Sequence, residues 1–219
     1  MKTLKINLFF IAILLLTFSC KKKKTPPELS LLGDAIMQLC LGDSLVDPGA
    51  TSLDAYDVDI TGTIDVTTNV DNGTVGSYTI TYTSTDENGN VTTVERVVDV
   101  DVCVSSLLSS YTVSHDCQVD LGLTTIDIIA DSQSIIEGAG TNDFIIEGFN
   151  AFIDSVSGTI DGSNVTIPSN NFSVGSAPLA IDVTLSGTGT VNDTGNEITI
   201  EYTYSSAVAS GSCTAVYTK

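Results

Sequence analysis

Gly76-Ser77-Tyr78-Thr79-Ile80-Thr81-Tyr82-Thr83-Ser84-Thr85-Asp86-Glu87-Asn88-Gly89-Asn90-Val91-Thr92-Thr93-Val94-Glu95-Arg96-Val97-Val98-Asp99-Val100-Asp101-Val102 is the stretch whose reading decides the fold. Tyr78, Ile80 and Tyr82 alternate with Thr79, Thr81 and Thr83, the period of a half-buried strand. Asp86 to Asn90 carries Asn-Gly, the strongest short hairpin signal, and Val91 to Val102 returns as a second strand. Working outward, Val, Ile and Thr dominate the chain, while Gly, Asn and Asp recur at short intervals. No long helical pattern follows residue 40. The expectation is an all-β protein.

The start of the chain follows a different grammar. Lys2 and Lys5 precede an apolar run from Leu8 to Leu16, and Thr17-Phe18-Ser19-Cys20 closes it. A positive start, a short apolar run and small residues define an export signal. The run is too short for a hydrocarbon core of roughly 30 Å, which takes about 20 residues. Leu16 to Cys20 resembles the lipobox of bacterial lipoproteins. That resemblance implies removal of residues 1–19 and lipidation (palmitate among the chains) of Cys20. Each buried CH₂ contributes about 0.8 kcal/mol, so two or three acyl chains give a durable membrane tether. Lys21 to Lys24 would meet anionic head groups at about 1 kcal/mol each. Thr25-Pro26-Pro27 is stiff, so residues 20–28 read as a stalk of roughly 25–30 Å at most.

Beyond Thr25 the basic residues are Arg96 and Lys219, against all 27 acidic ones. Such a body repels nucleic acid, whose binding needs Lys and Arg, and it stands off the bilayer. Hydrophobic content of 42% is enough for packed cores. With Cys20 lipidated, Cys40, Cys103, Cys117 and Cys213 remain, an even set in an exported protein that suggests two disulfides. Four cysteines allow three pairings, and spacing alone does not choose. No CxxC pair is present, which argues against zinc.

The domain reading is 29–103, a linker at 104–109, and 110–219. In the first domain Ala35 to Leu41 reads as an early strand, and Asp47-Pro48-Gly49-Ala50 is turn chemistry. Gly33-Asp34, Gly42-Asp43, Asp47 to Ala50, Asp57 to Thr61, Gly76 to Tyr82, Asp86 to Asn90 and Arg96-Val97-Val98 resemble the immunoglobulin-like domain of bacterial surface proteins, a type also found in insecticidal crystal toxins. The resemblance implies a small β-sandwich used as a spacer or adhesion module. Asp57-Val58-Asp59 departs from the Asp-Gly-Asp turn common there.

In the second domain the expected strands are Ser110 to Ser114, Thr124 to Ala130, Asp143 to Gly148, Phe152 to Ile160, Asn164 to Pro168, Ala180 to Ser186, Glu197 to Tyr204 and Ser212 to Thr218. Short strands with short turns suggest an antiparallel meander or β-barrel. Ile167-Pro168, Ser186 to Gly189 and Cys213-Thr214-Ala215 resemble the lipocalin-like modules of Bacteroidetes lipoproteins. That resemblance points to a Gram-negative outer membrane, with the periplasmic and surface faces both open. End strands of a closed meander are neighbours, so domain logic expects Cys40–Cys103 and Cys117–Cys213.

Candidate sites are few. His115, the single histidine, has Asp116 and Asp120 nearby, but no Gly-x-Ser-x-Gly elbow accompanies it. Asp54, Asp57 and Asp59 are calcium candidates, to which Asp86, Asn88 and Asn90 would add ligands only if the fold brings them near; their spacing is not that of an EF-hand. Arg96 is expected to pair with an aspartate of its own domain. No Trp and 6% aromatics disfavour a glycan cleft. No catalytic residue and no cofactor are expected. The leading expectation is a non-enzymatic envelope lipoprotein for binding, adhesion or spacing, touching the membrane through Cys20 and meeting a protein, glycan or small molecule. A lipocalin-like carrier of an apolar ligand and a hydrolase with an acidic site are the competitors.

Overall fold

The computed structural model describes residues 25–120, 125–174 and 180–219. The export signal, Cys20 and Lys21 to Lys24 lie outside the described residues. The strands are β1 (Glu28–Leu31), β2 (Ile36–Cys40), β3 (Ala50–Leu53), β4 (Asp65–Thr68), β5 (Gly76–Thr85), β6 (Val91–Asp101), β7 (Ser109–His115) and β8 (Gln118–Asp120). They continue as β9 (Thr125–Asp127), β10 (Ser132–Glu137), β11 (Asp143–Glu147), β12 (Ser155–Asp161), β13 (Asn164–Val174), β14 (Ile181–Val191), β15 (Glu197–Ser206) and β16 (Ser210–Thr218). Among the described residues only Thr61–Thr63 and Val104–Leu107 form helical turns. Residues 104–109 thus hold a turn with Val104 and Leu107 buried, and the next strand starts at Ser109.

Packing divides the chain into two units. The first holds the described residues up to Gly33 with Pro48–Thr67 and Thr81–Glu95. Here β1 pairs antiparallel with β3, from Glu28↔Leu53 to Leu31↔Ala50. Alternation buries Leu29, Ala50 and Ser52 on one side, and Tyr82 and Ser84 are buried too. The Ser52 and Ser84 hydroxyls meet at 2.7 Å, so each buried polar group has a partner. The hairpin turn closes as its sequence suggests. Gly89 takes φ +83°, and Asp86 Oδ1 accepts from the backbone N–H groups of Asn88 and Asn90, both at 2.8 Å.

The second unit holds Asp34–Asp47, Thr68–Ile80 and Arg96–Lys219. In it β2 runs parallel to β6, Ile36↔Val97 through Cys40↔Asp101, within a sheet ordered β2-β6-β5-β4. Arg96 is fully buried, with Nη1 3.3 Å from Asp47 Oδ1 and 3.4 Å from Met37 Sδ. The expected ion pair is present.

The same unit contains a closed antiparallel barrel, β10-β11-β12-β13-β14-β15-β16-β7. Its membership corrects one expectation. The described part of the strand expected at Thr124 to Ala130 is not in the barrel: among the described residues β9 pairs only with β8, in a separate two-stranded sheet. The eighth strand is β10, Ser132-Gln133-Ser134-Ile135-Ile136-Glu137, which pairs with β7 and β11. It escapes a hydropathy reading because the position facing in beside Ile135 is a glutamine, 3% exposed. β13 and β14 also run longer than expected, past Pro168 and past Ser186, with a register shift between Ile167 and Asn170.

Large side chains occupy the barrel interior. Tyr111, Phe144, Ile146, Ile167, Leu185, Ile200, Tyr202 and Tyr217 are all buried. Glycines make room for the rings: Gly158 stands opposite Phe144 across the β11–β12 ladder, and Gly187 stands opposite Tyr202. A Cβ on Gly158 would lie 2.3 Å from Phe144 Cζ, so the ring occupies the space a side chain would take. Disulfides join Cys40 to Cys103 and Cys117 to Cys213, with Cα separations of 5.4 and 4.9 Å.

Candidate functional site

His115 ends β7 and is nearly buried. Its Nδ1 accepts from the Cys117 backbone N–H at 3.2 Å, which leaves the imidazole proton on Nε2, 3.2 Å from Asp131 Oδ1. An Nε2 that carries the proton cannot accept one from a serine, so the triad geometry is absent here. The carboxylate beside the ring is Asp131, whereas Asp116 is committed elsewhere: its Oδ1 accepts from Thr214 N at 2.6 Å. Asp116 does approach Cys117 and Cys213 within ligand range, but both sulfurs are in the disulfide. They have no thiolate to offer a metal.

The acidic loop of the first unit caps its own backbone. Asp54 Oδ1 accepts from Tyr56 N at 2.7 Å and Val58 N at 2.9 Å. Asp57 takes φ +60°, the left-handed conformation that a glycine-containing turn would otherwise supply. Asp59 Oδ1 accepts from Thr61 N at 2.9 Å, and hydrogen bonds from Thr61 hold its carboxyl below the ordinary range. Asp86 is lowered as well, first by the Asn90 side chain, whose Nδ2 donates to Oδ2 at 2.7 Å. These three carboxylates therefore act as acceptors inside Asx turns, the local chemistry of aspartate in loops.

The barrel core holds a polar cluster that sequence reasoning missed. Tyr202 and Tyr217 hydroxyls are 2.8 Å apart, and burial pushes both phenols above their ordinary value of 10.0. Phe149 meets Tyr202 edge-on at 5.8 Å, and Tyr111 meets Tyr217 at 6.1 Å. Gln133 Nε2 donates to Ala130 O at 3.0 Å, and Gln133 also faces the Tyr217 phenol. The signal for this cluster was the alternation of Ile198, Ile200, Tyr202 and Tyr204 on one face. Strand periodicity gives the face and not the cross-strand partner. The cations of the body are both engaged: Arg96 with Asp47, and Lys219 through Nζ, which donates to Ser106 O at 2.5 Å.

Fold and site together define an all-β protein with a sandwich-like N-terminal part and a closed eight-stranded barrel. Residues 29–100, about a third of the chain, match the family of the bacterial surface protein Ig-like domain. Among solved structures the chain is similar to a lipoprotein from Bacteroides thetaiotaomicron: 20% identity, 88% of this chain and 100% of that one, TM-score 0.33. It is similar to the CBM51-2 and INT domains of ZmpB from Clostridium perfringens, in complex with GlcNAc, at 16% identity, spanning 88% of this chain but 44% of that one, with a TM-score of 0.29. A candidate outer membrane protein from Bacteroides fragilis is similar at 16% identity, 78% and 84% coverage and TM-score 0.28. No curated protein matches the chain. Likeness of this degree does not transfer function.

Proposed function

We propose that this chain is a lipid-anchored envelope protein without enzymatic activity, in which the Ig-like domain serves as a spacer and the barrel meets a partner on its outer surface. The observation that carries this reading is the occupied barrel interior. Phe144 presses into the space over Gly158, and Tyr202 into that over Gly187, so large rings take up the space at these two places in the barrel. A carrier of an apolar ligand needs a cavity of several hundred Å³ that buries most of the ligand, which makes that role the weaker one. The hydrolase reading loses support as well, because the acidic loop carboxylates and His115 are engaged in local hydrogen bonds. Anchoring rests on the lipobox-like segment ending at Cys20, and the 27 acidic residues of the body favour distance from an anionic membrane.

The test is protease shaving of intact cells, followed by blotting for the barrel, in parallel with a Cys20→Ala chain. Surface placement predicts loss of the barrel signal from unbroken cells and release of the Cys20→Ala chain from the membrane fraction. Digestion only after lysis would move the partner to the periplasm. A Cys20→Ala chain that stays in the membrane would refute the lipid anchor.

A further inference from the structure

The two disulfides stand in opposite surroundings. Cys117 and Cys213 are buried, 0% and 5% exposed. Cys40 and Cys103 are only half-buried. Both line a cavity of about 450 Å³ inside the second unit, together with Ser105, Gly140 and Gly162 among others. Serine and glycine have short side chains or none, which leaves room beside the sulfurs. A thiolate must reach one sulfur of a disulfide to displace the other, so access decides which bridge reacts. The charged groups of the lining are acidic, Glu137 and Asp143, and Asp101 lies opposite Cys40 in the ladder.

The accessible bridge also fastens a weakly held element. β2 is an edge of its sheet and, among the described residues, pairs only with β6, in parallel, from Ile36↔Val97 to Cys40↔Asp101. None of its residues is buried, and Ile36 is 59% exposed. An element with few buried apolar contacts opens at low cost, so its covalent tie carries weight. Directly past Cys40, Leu41 N donates to Asp101 O at 2.8 Å. That bond reports whether the end of β2 is in place.

We infer that Cys40–Cys103 is a reversible thiol–disulfide exchange site, opened by a dithiol reductant while Cys117–Cys213 stays closed and the barrel stays folded. A thiolate of the dithiol attacks one sulfur of the bridge, and the other sulfur leaves as a thiolate. The reagent's second thiolate then attacks the mixed disulfide, releases the second cysteine and closes the reagent into its own disulfide. Two electrons pass to the bridge, and the two protons of the dithiol end on Cys40 and Cys103. The acidic lining repels anionic thiols, so the fitting reductant is uncharged or positively charged around its thiols. Reduction frees the end of β2, and re-oxidation fastens it again. Neither step depends on the lipid anchor.

The test treats the full chain in detergent with dithiothreitol, an uncharged dithiol, at about pH 8, where a substantial share of thiol is thiolate. Samples are quenched with iodoacetamide and mapped by peptide mass, which keeps Cys20 apart from the other cysteines. Cys40 and Cys103 should be alkylated together, at least tenfold faster than Cys117 and Cys213, with the near-UV tyrosine signal intact. Ser105 is exposed and lines the cavity, so Ser105→Trp should slow that reaction at least threefold. Glutathione, an anionic thiol, should form the mixed disulfide at least threefold more slowly than cationic cysteamine at matched thiolate concentration. The gap should shrink in about 1 M salt, where charges are screened beyond about 3 Å. In the reduced chain the Leu41 amide should exchange at least tenfold faster, while Val191 N, which donates to Ser163 O, keeps its rate. Equal rates at all four cysteines, or reduction of Cys117–Cys213 first, would overturn the inference. So would loss of the tyrosine signal along with reduction, an unaltered rate in Ser105→Trp, equal attack by the two charged thiols, or an unchanged Leu41 amide.

Discussion

Replacing Gly158 by alanine tests the occupied barrel interior, on which the functional reading depends. The added methyl would sit 2.3 Å from Phe144 Cζ, 2.5 Å from Phe144 Cε2 and 2.8 Å from Ile167 Cδ1. Contacts under 3 Å force the ring to move, and Phe144 is buried, 1% exposed. Overpacking of this kind costs about 1–3 kcal/mol. Against it stands a gain of roughly 0.5–1 kcal/mol from removing a strand glycine's backbone freedom. The net expectation is a loss of about 1–2 kcal/mol, which at about 2–4 °C per kcal/mol for a chain of this size lowers Tm by roughly 2–8 °C. Phe144→Ala alone should cost about 3–5 kcal/mol through the cavity it leaves. Gly158→Ala combined with Phe144→Leu should recover part of the loss, because the smaller side chain vacates the clash. The assay is thermal and denaturant unfolding of Gly158→Ala, Phe144→Leu and their combination as a double-mutant cycle, with a coupling of about 0.5–3 kcal/mol expected between residues in contact. A Gly158→Ala protein as stable as the parent, with no coupling to position 144, would mean that the ring does not fill that space. The carrier reading would then return.

Asp47→Asn should destabilise by up to about 3 kcal/mol, because buried Arg96 loses its anionic partner; urea unfolding checks this, and an unchanged midpoint would contradict the pair. Alkaline stability should fall from pH 10 upward. The phenols of Tyr202 and Tyr217 are raised in the folded state, so the unfolded chain releases protons first, and stability present below pH 10 is lost toward the folded values; Tm against pH with tyrosinate absorbance reads it, and a flat profile to pH 11.5, about 1.5 units past the ordinary value, would refute it. Asp86→Ala should lower Tm at neutral pH and lose its effect in acid. The depressed carboxyl stabilises above its unfolded value, and that contribution disappears as pH falls through the folded one, so an acid-independent effect would contradict the cap. Breaking Cys117–Cys213 by paired alanine substitutions opens a 96-residue separation and should cost about 2–5 kcal/mol, read by calorimetry, with no change in Tm as the contrary result.

The Tyr78 to Tyr82 alternation and the Asn-Gly turn placed β5 and β6 to within a residue or two, because a strand half in solvent writes its period into the sequence. The cysteine pairs followed once the strands were assigned to two domains, since β7 and β16 meet where the barrel closes. The functional candidates fared differently. Asp54, Asp59 and Asp86 read equally well as ligands or caps until the backbone N–H groups around them were placed. His115 was weighed with Asp116 and Asp120, yet a chain reversal brings Asp131 to it.

By itself the sequence determined an all-β body, the Ig-like first part and a strongly acidic charge balance. These depend on local period, composition and short-range turn chemistry, which any stretch of chain carries with it. Tertiary structure alone decided that β10 completes the barrel and that glycines yield their space to Phe144 and Tyr202. Those facts lie in cross-strand register. Register pairs residues many positions apart, and no single segment's pattern records which partner it will face.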